Sequence, residues 1–391
     1  MAVGGRDPQY AAGVDTPRER IYLSPPRATE ADIEAVTAAM RSGWLAPVGP
    51  DLAGFEDDMA QFLGVNHAVG LASGTAALHL GLRYLGVQAG DAVLVPTVTF
   101  GATAFAVTYL GAVPVFLDMD ESWNMDPSLI EDAVTSLRSS GMRVVAAVPV
   151  DLYGSSADYC TLLPVLESLG IPVVEDAAEG LGASSGDAMV GSFGSAGVLS
   201  FNGNKLITTS GGGMLVTDDS DFADKVRFWS TQARENEPWY EHREIGFNYR
   251  LSNLLAALGR SQLRRVPDEV TKRRQIREWY RERLSGVEGV MVQSDPAWGR
   301  SNAWLTVVRF SPAHHPGAPG RVREMLETFN VESRPVWKPM HQQPVFADNP
   351  AFLTGAADAL FADGLCLPSG TGLDETHIDW ICSLVTSCLR R

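Results

Sequence analysis

From about residue 65 to residue 217, short apolar runs alternate with longer stretches in which apolar side chains recur at helical spacing. The runs at 92–95, 113–117, 144–148, 172–175, 197–201 and 213–217 predict strands. The stretches near 75–86, 101–110, 127–138 and 157–169 predict helices between them. Such alternation predicts an α/β domain with a large, mixed but mostly parallel sheet covered by helices. Ligands bind such sheets beyond the carboxyl ends of the strands. Thr97, Phe100, Tyr153, Asp176 and Ser200 all fall at or just past predicted strand ends.

Beyond residue 250 the pattern changes. Residues 252–285 read as helices, including the charged stretch 270–284. A smaller α/β region follows, with a strand near 304–310, a helix near 321–329, a strand running into Arg334 and a terminal helix from about Glu375. The expected division is a large domain at 20–265 and a small C-terminal domain at 266–391, with the boundary inside helical sequence. A helix at 30–40 is expected to pack, with the rest of 20–45, on the small domain. Residues 1–19 lack periodicity and read as a flexible extension.

Composition narrows the function classes. The 391 residues are 45% hydrophobic and 20% charged, as in a soluble globular protein. A net charge of −16 opposes a nucleic-acid-binding role, which calls for a basic surface. The four cysteines, Cys160, Cys366, Cys382 and Cys388, have no CxxC spacing, and His314, His315 and His341 are not near them in sequence. No metal site or disulfide framework is expected, and Cys160 and Cys366 are expected in the core. There is no apolar run of membrane-spanning length and no signal-like start, so the expected location is cytoplasmic.

Three segments carry candidate chemistry. Lys205 ends Ser200-Phe201-Asn202-Gly203-Asn204-Lys205, ahead of a glycine-rich run. Asp176 lies 29 residues upstream, ending the strand in Ile171-Pro172-Val173-Val174-Glu175-Asp176-Ala177-Ala178-Glu179. Singly, a lysine is a solvated surface group and a strand-end aspartate is a turn residue. The third segment changes that reading. In Leu71-Ala72-Ser73-Gly74-Thr75, a strand runs through a turn into a helix, whose first N–H groups attract anions. Gly74 allows close approach, and the Ser73 and Thr75 hydroxyls suit a phosphate. A phosphate cradle, a lysine amine and a buried strand-end carboxylate are the parts that pyridoxal phosphate chemistry requires. The lysine anchors the cofactor aldehyde, and the aspartate keeps the pyridine nitrogen protonated, making the ring an electron sink. A dinucleotide-binding oxidoreductase is opposed, because no G-x-G-x-x-G follows a first strand.

These segments, with Thr208-Thr209-Ser210-Gly211-Gly212-Gly213-Met214 and Gly246-Phe247-Asn248-Tyr249-Arg250-Leu251-Ser252-Asn253, together resemble the sugar aminotransferases of the DegT/StrS family. The resemblance runs from about Tyr22 to the C-terminus and implies a fold-type-I pyridoxal phosphate-dependent transferase. The segments at 21–26, 230–236, 334–341 and 366–371 are most similar to enzymes that aminate C4 of nucleotide-linked 4-keto-6-deoxyhexoses, of the bacillosamine-pathway type.

The resemblance implies that Lys205 and Asp176 are catalytic. It implies that Phe100 stacks on the ring, that Gly74, Thr75 and Ser200 hold the phosphate, and that Ser73 and Asn202 also face the cofactor. Glu179 stands beside the 3-hydroxyl, where many relatives have Gln or His. Asp151 stands where relatives often have His. Asn248 and Arg250 are expected to reach the phosphate of a neighbouring subunit, in a homodimer with shared sites. Trp44, Tyr153, Arg334, Trp337, Lys338 and His341 are the expected contacts for a dTDP- or UDP-linked sugar, with glutamate as amine donor. Pyridoxamine phosphate would form in the half-reaction. An aminotransferase for a 3-keto sugar or keto-cyclitol would use the same cofactor residues. A sugar dehydratase is opposed because such relatives replace the lysine with histidine, and a non-catalytic regulator because Lys205 and Asp176 are both present.

Overall fold

A computed structural model describes residues 19–390, so the expected extension at 1–19 lies outside the described residues except for Glu19. Helices α1 (Glu30–Ser42) and α2 (Pro50–Leu63) lead into β1 (His67–Leu71), α3 (Gly74–Tyr84), β2 (Ala92–Pro96), α4 (Gly101–Tyr109) and β3 (Val113–Leu117). Next come α5 (Ile130–Ser139), β4 (Val144–Ala147), α6 (Tyr159–Ser168) and β5 (Val174–Asp176). A small hairpin, β6 (Ser184–Ser185) and β7 (Ala188–Met189), precedes β8 (Ala196–Ser200) and β9 (Gly213–Thr217). Helices α7 (Ser220–Ser230), α8 (Asn253–Leu263) and α9 (Val266–Leu284) lead to the C-terminal region. That region holds β10 (Val290–Val292), β11 (Gly299–Arg300), β12 (Thr306–Phe310), α10 (Ala318–Thr328), β13 (Arg334–Pro335), β14 (Ala351–Phe352), α11 (Ala356–Asp363), β15 (Gly364–Leu367) and α12 (Glu375–Leu389).

The large sheet runs β14-β3-β2-β4-β5-β8-β9-β1. Backbone bonds from Ala147 N–H to Pro172 (3.0 Å) and from Asp176 N–H to Pro149 (2.9 Å) join its two halves. Pairing is parallel from β14 to β8, while β9 is antiparallel to both neighbours. The reversal between β8 and β9 needs no crossover helix, so a loop at 201–212 suffices. Lys205 sits in that loop, at the carboxyl edge of the sheet.

Both faces of the sheet are apolar. Along β2, Val93 and Val95 join the core with α3 and α4, whereas Ala92 and Leu94 join the core with α5 and α6. The C-terminal strands form a second, antiparallel sheet, β10-β12-β15-β13, with its own core.

Helix α9 belongs to both units. Val266 and Val270 pack in a core beside the large sheet, and Ile276, Tyr280 and Leu284 in the core of the second sheet. The segment expected to pack on the small domain divides. Ile21 pairs with Val331, and the Leu23 carbonyl accepts the Ser369 N–H at 2.7 Å, but α1 packs along α8. Asp32 of α1 is ion-paired to Arg265 at 2.7 Å. The expectation for Cys160 is corrected: it lies in the first turn of α6 and is exposed, while Cys366 is buried on β15. Among the described residues, no helix is long and apolar enough to cross a membrane.

Candidate active site

A cavity of about 960 Å³ opens at the carboxyl ends of the parallel strands. One corner of it is built at the start of α3. Ser73 caps that helix, its Oγ accepting the Ala76 N–H at 3.1 Å. Ser200 closes the corner from β8: a Cβ added to Gly74 would lie 3.2 Å from the Ser200 Cβ. Gly213 is under a stricter demand, since a Cβ there would lie 2.4 Å from the Gly74 nitrogen. The start of β9 thus touches the helix terminus backbone to backbone, and the Ser73-Gly74-Thr75 turn faces the cavity.

Asp176 ends β5 with only 4% of its surface exposed. Its Oδ2 accepts the Thr103 hydroxyl at 2.7 Å, and Oδ1 accepts the Ala178 N–H at 3.2 Å. Thr103 shares a 2.7 Å hydrogen bond with Thr99. Burial pushes the Asp176 carboxyl up, against the Thr103 hydroxyl and the charge of Lys205. Lys205 Nζ lies 3.1 Å from Glu179 Oε1 and 4.4 Å from the Trp304 ring centroid. Glu179 Oε2 accepts the Tyr153 N–H at 2.8 Å. Burial also pushes the Glu179 carboxyl up, and the Lys205 charge opposes it.

The cavity brings together Ser73, Gly74, Thr75, Phe100, Asp176 and Glu179. It is also lined by Ser200, Asn202 and Lys205, and by Arg334 and Trp337 at its mouth. Other expected contacts lie elsewhere. Tyr153 is fully buried behind the wall, in the left-handed region at φ 55°. Its hydroxyl accepts the Trp337 N–H at 3.0 Å, so it holds Glu179 and Trp337 rather than facing the cavity. His341 bridges Thr97 Oγ1 (2.6 Å) and Asp358 (3.0 Å), latching the end of β2 to α11. Lys338 and Trp44 are exposed away from the cavity, and the Trp44 carbonyl accepts the Asn253 side-chain amide at 2.9 Å.

Asn248 is exposed, accepting Gln232 Nε2 at 3.2 Å. Arg250 makes its contacts within its own chain. It is ion-paired to Glu56 of its own chain and donates to the Gly70 carbonyl at 2.8 Å. Thr99, Thr103, Trp304 and the 22–26 segment are site residues that the sequence reading did not assign. Thr99 and Thr103, four apart across the start of α4, were the available signal, because that spacing places two hydroxyls side by side.

Asp151, the departure from histidine, forms half of a buried acid pair. It accepts the Ala157 N–H at 3.0 Å and the Tyr159 hydroxyl at 3.1 Å. Its neighbour Glu175 accepts the Gly191 and Phe193 N–H groups at 2.7 and 2.8 Å. Burial pushes Glu175 up to about 7 from an ordinary 4.5, and burial plus the Glu175 charge raise Asp151. A carboxyl raised on folding lends stability that is fully present below its unfolded pKa and is lost as pH rises through its folded value. The melting temperature should therefore carry a downward component between about pH 5 and pH 8. Glu175→Gln should flatten it, and an unchanged slope in that variant would show that Glu175 is not its source.

Comparison with known proteins agrees with this geometry. The sequence model of the DegT/DnrJ/EryC1/StrS aminotransferase family matches residues 26–386. EpsN of Bacillus subtilis, assigned as a pyridoxal phosphate-dependent aminotransferase, is 43% identical over 364 residues, covering 91% of this chain and 92% of its own. GDP-perosamine synthase of Caulobacter vibrioides is 36% identical over 372 residues, covering 95% and 98%. The crystal structure of DesI with its TDP-sugar product superposes with a TM-score of 0.88 at 29% identity, covering 98% of this chain and 96% of DesI.

Proposed function

The chain belongs to the DegT/DnrJ/EryC1/StrS aminotransferase family, and from that premise we propose that it transfers an amine from glutamate to C4 of a nucleotide-linked 4-keto-6-deoxyhexose. Its class is that of the pyridoxal phosphate-dependent sugar aminotransferases, whose solved members include pyridoxal and pyridoxamine phosphate forms.

The observation that carries the proposal is one continuous cavity. Its floor holds Lys205 and Asp176, and its mouth is lined by Tyr22, Pro26, Arg334 and Trp337. At about 960 Å³ it lies at the upper end of the roughly 300–1,000 Å³ of small-molecule sites, leaving room beyond a bound cofactor. A guanidinium and an indole at the mouth suit a diphosphate and a base.

The residues on the floor fit the cofactor. The α3 terminus suits a phosphate dianion, and Asp176, buried among neutral donors, suits a cationic ring nitrogen. When bound, the cofactor supplies the electron sink for the carbanion at the donor Cα. Lys205 anchors it through Nζ and, once released, moves the proton at the reacting carbon. Asp176 holds the positive charge on the ring nitrogen. Glu179 orients Nζ, and Phe100, exposed at the start of α4, would cover one ring face.

Amination at C4 from glutamate is supported by a relative named UDP-4-amino-4-deoxy-L-arabinose–oxoglutarate aminotransferase, from Shewanella sediminis, 31% identical over 343 residues. Oxoglutarate is the oxo-acid of glutamate. The GDP and TDP named in the relatives above add guanosine to thymidine and uridine as candidate nucleotides. A second reading, amination at C3, is favoured by one relative, UDP-N-acetyl-3-dehydro-α-D-glucosamine 3-aminotransferase of Acidithiobacillus ferrooxidans, 33% identical over 339 residues. Both readings are tested by product analysis with GDP-, dTDP- and UDP-linked 4-keto-6-deoxyhexoses and a 3-keto sugar nucleotide, with glutamate as donor. The expected product carries its amine at C4. Turnover of the 3-keto substrate alone would replace this reading with the second.

The same proposal includes a homodimer. Trp239, Tyr240 and Ile245 are exposed on the loop that carries Asn248, Tyr240 at 78%, and a second copy would cover them. Asn248, exposed on that loop, would reach a partner's phosphate, and Arg250, paired with Glu56 and Gly70 of its own chain, would do so only by exchanging those contacts. A solution mass near 42.1 kDa, that of one chain, would reject the assembly.

A further inference from the structure

Behind the Lys205 loop, a chain of buried polar contacts crosses the seam between the two domains. Trp304 is 2% exposed, and its indole does two things at once. Its face lies over the Lys205 ammonium, and its Nε1–H donates to the carbonyl of Asn204, the preceding residue, at 2.8 Å. The Ser24 hydroxyl donates to the same carbonyl at 3.2 Å. Both donors are tied to one buried cation. Arg273 Nη1 donates to the Trp304 carbonyl at 2.7 Å and to the Ser369 carbonyl at 3.1 Å, and Nη2 donates to Ser24 Oγ at 3.2 Å. Every one of these Arg273 partners is neutral, and burial pushes the guanidinium down to about 10. The other end of Trp304 is fixed too. Its N–H donates to Asn302 Oδ1 at 2.8 Å, while Asn302 Nδ2 donates to the Glu179 carbonyl at 2.6 Å. Trp304 is therefore tied directly to Asn204, the chain neighbour of Lys205, through its indole, and through Asn302 to the backbone of Glu179, whose carboxylate holds the Lys205 amine.

A buried cation whose hydrogen-bond partners are all neutral, with only the Glu269 charge to offset its burial, is costly to keep. Here it fixes the N-terminal segment and Trp304 against the loop that carries the reactive lysine. Lysine has a long, freely rotating stem, and a released lysine must stay within reach of the carbon it serves. Glu179 restrains its amine from one side only, and an aromatic face supplies the second restraint.

We propose that Trp304 is a positioning residue for Lys205: its indole face holds the released amine in place and docks the ammonium that forms once that amine has taken the donor Cα proton, and it pins the loop through the Asn204 carbonyl, with Arg273 and Ser24 as its anchors. The proposal rests on Lys205 being the covalent anchor of the cofactor. It predicts that the chemical half-reaction, not donor binding, depends on the aromatic face.

Three variants separate the contributions. Trp304→Leu removes the face and the N–H, Trp304→Phe keeps a face, and Ser24→Ala removes one loop bond with little change in volume. In single-turnover reaction with glutamate, followed by cofactor absorbance and normalised to bound cofactor, Trp304→Leu should be about tenfold slower. Trp304→Phe and Ser24→Ala should each stay within about threefold of the parent. The KM for glutamate should change less than the rate in all three. Hydrogen exchange in the peptide spanning 201–208, with and without cofactor, should speed up in Trp304→Leu and Ser24→Ala. If the leucine variant reacts at the parent rate per bound cofactor, the proposal is overturned. Equal losses for leucine and phenylalanine, in step with lowered melting temperature, would assign Trp304 a packing role only and overturn it as well. If Trp304→Leu does not fold, unchanged hydrogen exchange across 201–208 in Ser24→Ala overturns the loop-pinning claim. Borohydride reduction and peptide mapping of the parent protein test the underlying assignment separately, because a label on another lysine defeats that assignment whatever the variants do.

Discussion

Lys205→Ala should abolish transamination, with a loss of about 10⁴-fold or more, because covalent attachment and proton transfer disappear together. The purified variant should lose the absorbance of covalently held cofactor, and borohydride should fix no label in the 201–208 peptide. The fold should survive. Lys205 is on a loop, and its strongest partner is Glu179, whose carboxyl is already pushed up by burial. Without the ammonium 3.1 Å away, Glu179 meets the same burial by taking up a proton rather than by rearranging the wall. The decisive comparison is turnover beside peptide mapping. Appreciable turnover in Lys205→Ala, with a different lysine labelled in the parent, would defeat the assignment.

The large sheet was legible because each buried strand is a compact apolar run set between turn residues. The runs at 92–95, 113–117 and 213–217 coincide with β2, β3 and β9 to within a residue. Helices α2 and α7 were not predicted. Their apolar positions, such as Phe55 with Met59 and Phe222 with Val226, are diluted by neighbouring acidic residues, and burial against the sheet rather than local pattern makes them helical. The β6–β7 hairpin has two-residue strands, too short for any periodicity.

At the site, the residues contributed by strand ends and the first helix turn were readable. Their chemistry is local: a cap, a close approach, a strand-end acid. The residues that hold them were not. Thr103 finds Asp176 across 73 positions, and Trp304 finds the Asn204 carbonyl across 100. No spacing rule foresees such contacts. That His341 and Tyr153, expected as substrate contacts, do not line the cavity was unreadable for the same reason. Their residue types fit a sugar-nucleotide site, but tertiary packing engages them as a latch and a wall brace.

Asp176→Asn should separate stability from turnover. The carboxylate is buried, accepts a hydroxyl and one backbone N–H, and is pushed up by that burial. An isosteric amide escapes the desolvation penalty and can still accept the Thr103 hydroxyl, so melting temperature at neutral pH should hold or rise. Turnover should fall steeply. Removing one partner of a buried charge pair costs about 3–5 kcal/mol, and at 1.36 kcal/mol per decade that corresponds to roughly 10²–10⁴ in rate. The loss appears at the ring nitrogen, because the other buried acid of β5, Glu175, does not line the cavity and accepts the Gly191 and Phe193 N–H groups instead. Glu179, the nearest alternative, is committed to Lys205 and the Tyr153 N–H. Single-turnover rates with glutamate, read beside a thermal melt of the same preparation, test the split. Near-parent turnover in Asp176→Asn would mean that another acid holds the nitrogen. A collapse of melting temperature together with rate would mean that the carboxylate serves the fold and not the reaction.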